Sequence, residues 1–385
     1  MYIDDVRISS IPDDRVEVTA MCDGRSLHYR IPASHFRPQA VGDALLISTL
    51  APAMRAMSPL HLPSNVPVSS RLVEQLDGIQ RIYAGWNAGL KQVRLDATLY
   101  EPMPSDGPAG LFYAGGVDSS YSLLTHLEDV DLLIIVFGFD HTLAEDEAAA
   151  NLKRNSQFAQ RFGKVLIPVE TNHSRFVREL GVSRTFVHGA TLASIALLLG
   201  LSRCFIASSH ATGNVRPDGS HPLLDHRFSN GVTEIIHDDI SVTRLQKTWT
   251  IAKHADVLAN LRVCWEFPNE NCGACPKCLR TMIALRLCGS NGPFPTLKDV
   301  GRIRAMAARS EVEYVVDLLM AAHAQGDAEA ERELKKGLRI QDWKEALRFL
   351  DRALAGGALR GFRRWRRDTE IGLVKVELRP DLDLQ

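Results

Sequence analysis

Three short runs near the start of the chain, VRISSI, RVEVTAM and SLHYRI, alternate apolar and polar residues with a period of two, and the turns PDD and CDG separate them. That period sends successive side chains to opposite faces of a strand, so the runs predict a small antiparallel sheet. The connector LPSNVPVS comes next. The spacing then changes to that of an amphipathic helix over 70–88, with one further strand predicted in QVRLDATLY. Beyond the turn PMPSDGPAG the pattern changes again: the nearly continuous apolar runs LFYA, LLIIVFGF, KVLIPVE, RCFIASS and TEIIHD alternate with helical patterns. These helices begin at Asp118 and recur in AEDEAAANLKRNSQFAQRFG, FVHGATLASIALLLGL and TRLQKTWTIAKHA. Strands without alternation are buried on both faces, which predicts an α/β fold around a mainly parallel sheet. The expected organisation is a β-rich domain with one helix over 1–105, an α/β ligand-binding domain over 108–290, and a helical region over 291–385 that ends in a basic tail.

Composition narrows the function classes. With 385 residues, 45% of them hydrophobic, the chain can bury a sizeable core. Its 45 Lys and Arg are balanced by 46 Asp and Glu, so no overall positive field draws it to nucleic acid or acidic membranes. Any polyanion site must be local. The opening MYIDDVRISS has neither the basic nor the apolar segment of a signal peptide, and no apolar stretch approaches the ~20 residues that span a bilayer, so a cytoplasmic location is expected. Seven cysteines are too sparse for a disulfide scaffold, and four of them cluster, which in a reducing compartment points to metal.

Two motifs carry chemistry. In LFYAGGVDSS, an apolar strand breaks into Gly115 and Gly116 and then opens onto a helix. Adjacent glycines let several backbone N–H groups converge at the positive end of that helix, where they can hold an anion without any side chain. A tight turn without a ligand is the plainer alternative. No lysine follows the glycines, so the turn fits neither the Walker pattern nor the dinucleotide-binding fingerprint. The second motif, CWEFPNENCGACPKC, spaces Cys264, Cys272, Cys275 and Cys278 as C-x7-C-x2-C-x2-C, and four thiolates so placed can close a tetrahedron around Zn²⁺. With all four positions filled by protein, such a metal is structural. Cys22, Cys204 and Cys288 read as small buried hydrophobes.

The order Ala114, Gly115, Gly116, Val117, Asp118, Ser119 resembles the SGGxDS loop of the PP-loop ATP pyrophosphatases, with alanine in place of the first serine. Together with the four-cysteine knuckle it resembles the 7-cyano-7-deazaguanine synthase family, over roughly residues 110–289. The resemblance implies a HUP-type, Rossmann-like parallel sheet with ATP, Mg²⁺ and Zn²⁺ as its cofactors. It places the amides of Gly115 to Ser119, with the Ser119 and Ser120 hydroxyls, on the β- and γ-phosphates. It places Asp118 on Mg²⁺, Phe137, Gly138, Phe139 and Asp140 against adenine, and Arg244 and Lys247 at the α-phosphate. His188 and Gly189 stand where the family has arginine and asparagine, and would face the nucleotide. Helix capping by Asp118 and His188, and solvated cations at Arg244 and Lys247, are the alternatives for those residues. Ser208, Ser209 and His210 follow the fourth strand, with His221, Asp225 and His226 in the loop beyond, and one of these histidines would act as general base.

The implied activity is ATP-dependent adenylation of a carboxylate or amide oxygen with release of pyrophosphate, followed by displacement of AMP by ammonia or another amine. The segment GSHPLLD differs from the family's substrate-reading stretch, so a different acceptor is expected, a small molecule or a peptide. Alternatives are a tRNA-thiolating PP-loop enzyme, for which no cysteine pair is visible near the loop, a nucleotide-binding module weakened at Ala114, and a protein-modifying defence protein. A homodimer is compatible with each. In ALRGFRRWRRD, Arg360, Arg363, Arg364, Arg366 and Arg367 interleave with Phe362 and Trp365, which suits either RNA binding or an amphipathic helix with the aromatics packed inward.

Overall fold

A computed structural model describes residues 1–139, 144–295, 297, 299 and 301–355, with side chains as far as Lys344. Within the first unit, Met1–Leu297, strands β1 (Ile3–Ile11), β2 (Arg15–Cys22) and β3 (Arg25–Pro32) form the expected antiparallel meander. Strand β2 shows the alternation in physical form, burying Val16, Val18, Ala20 and Cys22 while the residues between them stay half-exposed.

Helix α1 (Val41–Ala56) is an element that the alternation pattern does not reveal. Every residue from Val41 to Met54 is buried, and a helix apolar on all sides has no polar face to mark its period. Its one carboxylate, Asp43, is fully buried and accepts from Ser69 N, the Tyr100 hydroxyl and Asn230 Nδ2, each at 2.7 Å. The short strands β4 (Leu60–His61) and β5 (Val68–Ser69) lead into α2 (Ser70–Trp86), whose start is capped by the Ser69 hydroxyl. The strand expected in QVRLDATLY is only two fragments, β6 (Leu95–Asp96) and β7 (Leu99–Tyr100). The reason is local: Val93 spends its N–H and carbonyl on the side chain of Gln80, leaving neither for a neighbouring strand.

Strand and helix then alternate through β8 (Ala109–Phe112), α3 (Val117–Thr125), β9 (Leu132–Phe137), α4 (Glu145–Arg161) and β10 (Val165–Thr171). After α5 (His173–Glu179) and α6 (His188–Leu198) come β11 (Arg203–Ile206), β12 (Glu234–His237), α7 (Arg244–Ile251), α8 (Ala255–Asn260) and α9 (Pro276–Leu287). The result is a mixed α/β unit on an eight-stranded sheet in the order β1-β2-β3-β10-β9-β8-β11-β12. The five strands from β10 to β12 are parallel, and numbered along the chain their order is 3-2-1-4-5. Helices α1, α5 and α6 pack together, as do α3, α7, α8 and α9.

The boundary expected between 105 and 108 is not a boundary. Strand β3 pairs antiparallel with β10, placing Arg30 opposite Glu170 and Tyr29 opposite Thr171, so the meander extends the parallel sheet. The Tyr29 hydroxyl reaches Ser48 and Ser194 inside the core, and Asp43 ties α1 to the loop at Asn230. The chain divides instead at Leu297 and Lys298. In the second unit, α10 (Gly301–Ala307), α11 (Val312–Ala324) and α12 (Ala328–Ala355) pack on one another around Ile303, Met306, Val315 and Leu318. The basic stretch from Arg360 to Arg367 lies outside the described residues. No helix among the described residues is long and apolar enough to cross a membrane.

Candidate functional site

The turn after β8 reverses the chain at its two glycines. Gly115 adopts φ +77°, a region costly for any residue with a Cβ, and this reversal brings Gly116 to the N-cap of α3. No side chain caps α3, so the N–H groups of its first turn are left to other partners. The Gly115 carbonyl accepts from Arg262 N at 2.7 Å, fastening the turn to the segment that leads into the cysteines.

A cavity of about 270 Å³ opens over this turn, walled by Ala114, Gly116, Val117 and Asp118, by the end of β9 through Phe137, and by Arg244, Arg262 and Lys277. It lies at the carboxyl ends of parallel strands, beside the point where the strand order reverses between β8 and β11. Asp118 is not the cap of α3. One of its carboxylate oxygens pairs with Arg244, and the other, Oδ1, is buried with no partner among the described residues.

Arg262 is the wall cation that no described carboxylate answers. Arg262 donates to the carbonyls of Asn269 and Leu261, at 3.0 and 2.7 Å, and to no carboxylate among the described residues. Arg154, on α4, donates to the side chain of the same Asn269 at 3.0 Å, while its Nε and second terminal nitrogen are buried without described partners. Burial first, and then the charge of Arg262, bring the Arg154 guanidinium down to about 10. Two guanidiniums that share Asn269 and have no carboxylate partner among the described residues favour an anion nearby.

The knuckle forms the opposite wall. The sulfurs of Cys264, Cys272, Cys275 and Cys278 all lie within 4.8 Å of one another. Ala274 N and Cys275 N donate to Cys272 Sγ at 3.3 and 3.2 Å, and Cys275 Sγ caps α9. Asn271 braces the loop, accepting from Val263 N and donating to the carbonyls of Leu261 and Pro293. Without a metal, burial pushes the Cys278 thiol up, and the neighbouring cysteines push it further. A divalent cation such as Zn²⁺ reverses that by holding thiolates, and the four-sulfur set fits one. Cys264 belongs to both cluster and cavity wall, and Lys277 lies 4.2 Å over the Trp265 ring at the rim.

Several expected residues fall elsewhere. Ser119 has its hydroxyl on Gly116 O at 3.4 Å, and Ser120 is fully buried, so neither lines the cavity. Lys247 is 1% exposed and its ammonium is hydrogen-bonded to Ser208 O at 2.8 Å, beneath the floor. Gly138 and Phe139 follow Phe137, but Gly138 opens onto a second cavity and Phe139 packs edge-on against His188. His188 does open α6, yet it faces Asp218 at 3.3 Å, a Cβ on Gly189 would meet Gly219 O at 2.1 Å, and neither residue lines the first cavity. Asp140 lies outside the described residues.

Of the histidine group, His210 also approaches Asp218, and Asp225, fully buried, accepts from Ser220 Oγ and His237 Nδ1 at 2.7 and 2.8 Å. Only Ser209 from that region reaches the first cavity. Cys22 and Cys204 are buried as expected, whereas Cys288 ends α9 exposed to solvent.

Residues missed by sequence reading are Asn151, Arg154 and Arg262. A signal was present for the first two: Asn151, Arg154 and Asn155 recur at helical spacing on the face of α4 that also buries Phe158. No protein-family model, curated protein or solved structure matches the chain.

Proposed function

We propose that the first cavity binds ATP and that the protein activates an oxygen of a second substrate by adenylation, for later attack by an amine. The observation that carries this reading is Arg262, in the cavity wall with the uncapped start of α3 and joined through Asn269 to Arg154, neither arginine answered by a described carboxylate. A polyphosphate supplies both needs at once, taking N–H groups on one side and guanidiniums on the other. The strand order 3-2-1-4-5 is that of doubly wound, Rossmann-like nucleotide-binding sheets, and its reversal point marks the crevice they use.

In this reading Arg262 holds the departing pyrophosphate, with Arg154 adding positive charge through their shared contact with Asn269, and Arg244 meets the charge that develops at the α-phosphate. Asp118 Oδ1 is the group that would hold Mg²⁺, a cation for which one or two protein carboxylates suffice and which would supply neutralising charge to the phosphates. The acceptor oxygen bonds to the α-phosphorus as pyrophosphate leaves. The amine nitrogen then bonds to the acceptor carbon as AMP departs with the C–O electron pair.

The test is calorimetric titration of the full chain with ATP and Mg²⁺, followed by an assay for released pyrophosphate. Arg262→Gln is expected to weaken ATP binding about tenfold to a hundredfold, at about 1.4 kcal/mol per tenfold. Undetectable ATP binding, or an unchanged affinity in the variant, overturns the proposal. A second reading, nucleotide binding without turnover, is favoured by Ala114, which lines the cavity where a hydroxyl would contact phosphate. Tight ATP binding with no pyrophosphate release under any acceptor would select it.

A further inference from the structure

A second cavity, about 630 Å³, shares Phe137 with the first, and nothing in the nucleotide reading uses it. It lies between α4 and the antiparallel extension of the sheet, with an apolar floor of Phe137, Ala148, Ala149, Leu152 and Pro168. Its charged lining consists of Asp13, Arg15, Glu145 and Glu170, with His28 beside them.

The net charge follows from the pairing. Arg15 binds Glu170 at 2.7 Å, Arg30 binds the other oxygen of Glu170 at 3.3 Å, and Arg30 also binds Glu17 at 2.8 Å. Two arginines and two glutamates cancel. Burial, with Arg30 adding to it, depresses the His28 imidazole and favours its neutral form. Asp13 and Glu145 remain, neither with a hydrogen-bond or ionic partner among the described residues, and they leave the cavity with negative charge over an apolar floor. The positive end of α4 does not offset this, because its first turn carries Glu145, Asp146 and Glu147 against about half a unit charge from the helix dipole.

An apolar floor with an anionic rim selects a cation that carries an apolar chain. We propose that this cavity binds a primary alkylammonium, its chain on Leu152 and Pro168 and its head at Asp13 and Glu145. Resting on the adenylation reading, this substrate supplies the nitrogen that displaces AMP in the cavity on the other side of Phe137, the residue both linings share. In that step the nitrogen bonds to the acceptor carbon, the C–O bond to AMP breaks with its electron pair on AMP, and the extra protons of the ammonium go to water.

Calorimetric titration of the full chain, without nucleotide, compares n-pentylammonium, pentan-1-ol and pentanoate. The ammonium is expected to bind about tenfold more tightly than the alcohol, and pentanoate to bind no better than the alcohol. The double variant Asp13→Asn with Glu145→Gln should erase the preference; asparagine tolerates the φ of +65° at position 13. Arg262→Gln, in the other cavity, should leave it unchanged. Equal binding of ammonium and alcohol, or a preference that survives the double variant, overturns the proposal. Because no nucleotide is present, that result leaves ATP binding standing, and a failure of ATP to bind leaves the amine result standing.

Discussion

The two cavities that share Phe137 in their linings differ in size and charge, and the two properties point in opposite directions. The smaller, about 270 Å³, has Arg244, Arg262 and Lys277 in its wall against Asp118. The larger, about 630 Å³, pairs off its arginines and keeps Asp13 and Glu145. Volume alone would place a nucleotide in the larger one, yet a triphosphate there would face unpaired carboxylates. On the proposed reading, charge favours the smaller. Coulomb energies between unit charges about 4 Å apart near a protein surface reach roughly 4 kcal/mol, which exceeds what a few extra apolar contacts contribute.

The sharpest way to break the comparison is through the knuckle, because Cys264 and Lys277 belong to the wall of the first cavity only. Cys275→Ser is expected to abolish stoichiometric zinc and to destabilise the region around α9 by on the order of 5 kcal/mol. Metal analysis and thermal unfolding check this, and pentylammonium binding at the second cavity should survive at temperatures below the lowered midpoint. A variant that keeps both zinc and its unfolding temperature contradicts the metal assignment.

A smaller effect tests the frame common to both cavities. His173, fully buried at the start of α5, contacts Ser48 O and the Thr191 hydroxyl. Burial pushes its imidazole down to about 4. The unfolded chain takes up this proton near the ordinary 6.5 and the folded chain only near 4, so stability is full above 6.5 and falls as pH drops through that window. At about 1.4 kcal/mol per pH unit the loss reaches roughly 3 kcal/mol. Urea unfolding of the wild type and of His173→Gln between these pH values measures it, and the variant's curve should be flatter.

The smallest effect sharpens the division between turnover and binding alone. Ala114→Ser places a hydroxyl in the first cavity and should tighten ATP binding by about 0.5–1.5 kcal/mol, up to roughly tenfold, without affecting pentylammonium. Tightened binding without any pyrophosphate release would show that the missing hydroxyl is not what limits turnover.

Much of the fold was legible because local pattern has local causes. The unbroken apolar run LLIIVF can satisfy itself only as a strand covered on both faces, and it is β9. Helix α1 was illegible for the converse reason, since a helix buried all round leaves no polar stripe. The glycine turn at 115 and 116 was legible as a reversal at a strand end. Its partners Arg154 and Arg262 were not, because nothing nearby in sequence says that α4 and the segment before Cys264 converge on Asn269.

By itself the sequence determined the alternation of strands and helices, the glycine turn and the four-sulfur spacing, each set by residues close together in the chain and so readable as periodicity or ligand geometry. Only the tertiary structure decided that the meander joins the parallel sheet through Arg30 and Glu170, that Lys247 lies beneath the floor, and that one cavity is cationic and its neighbour acidic. Those outcomes depend on residues far apart in the chain, from 39 positions for Lys247 and Ser208 to 140 for Arg30 and Glu170, which meet only once the chain has packed.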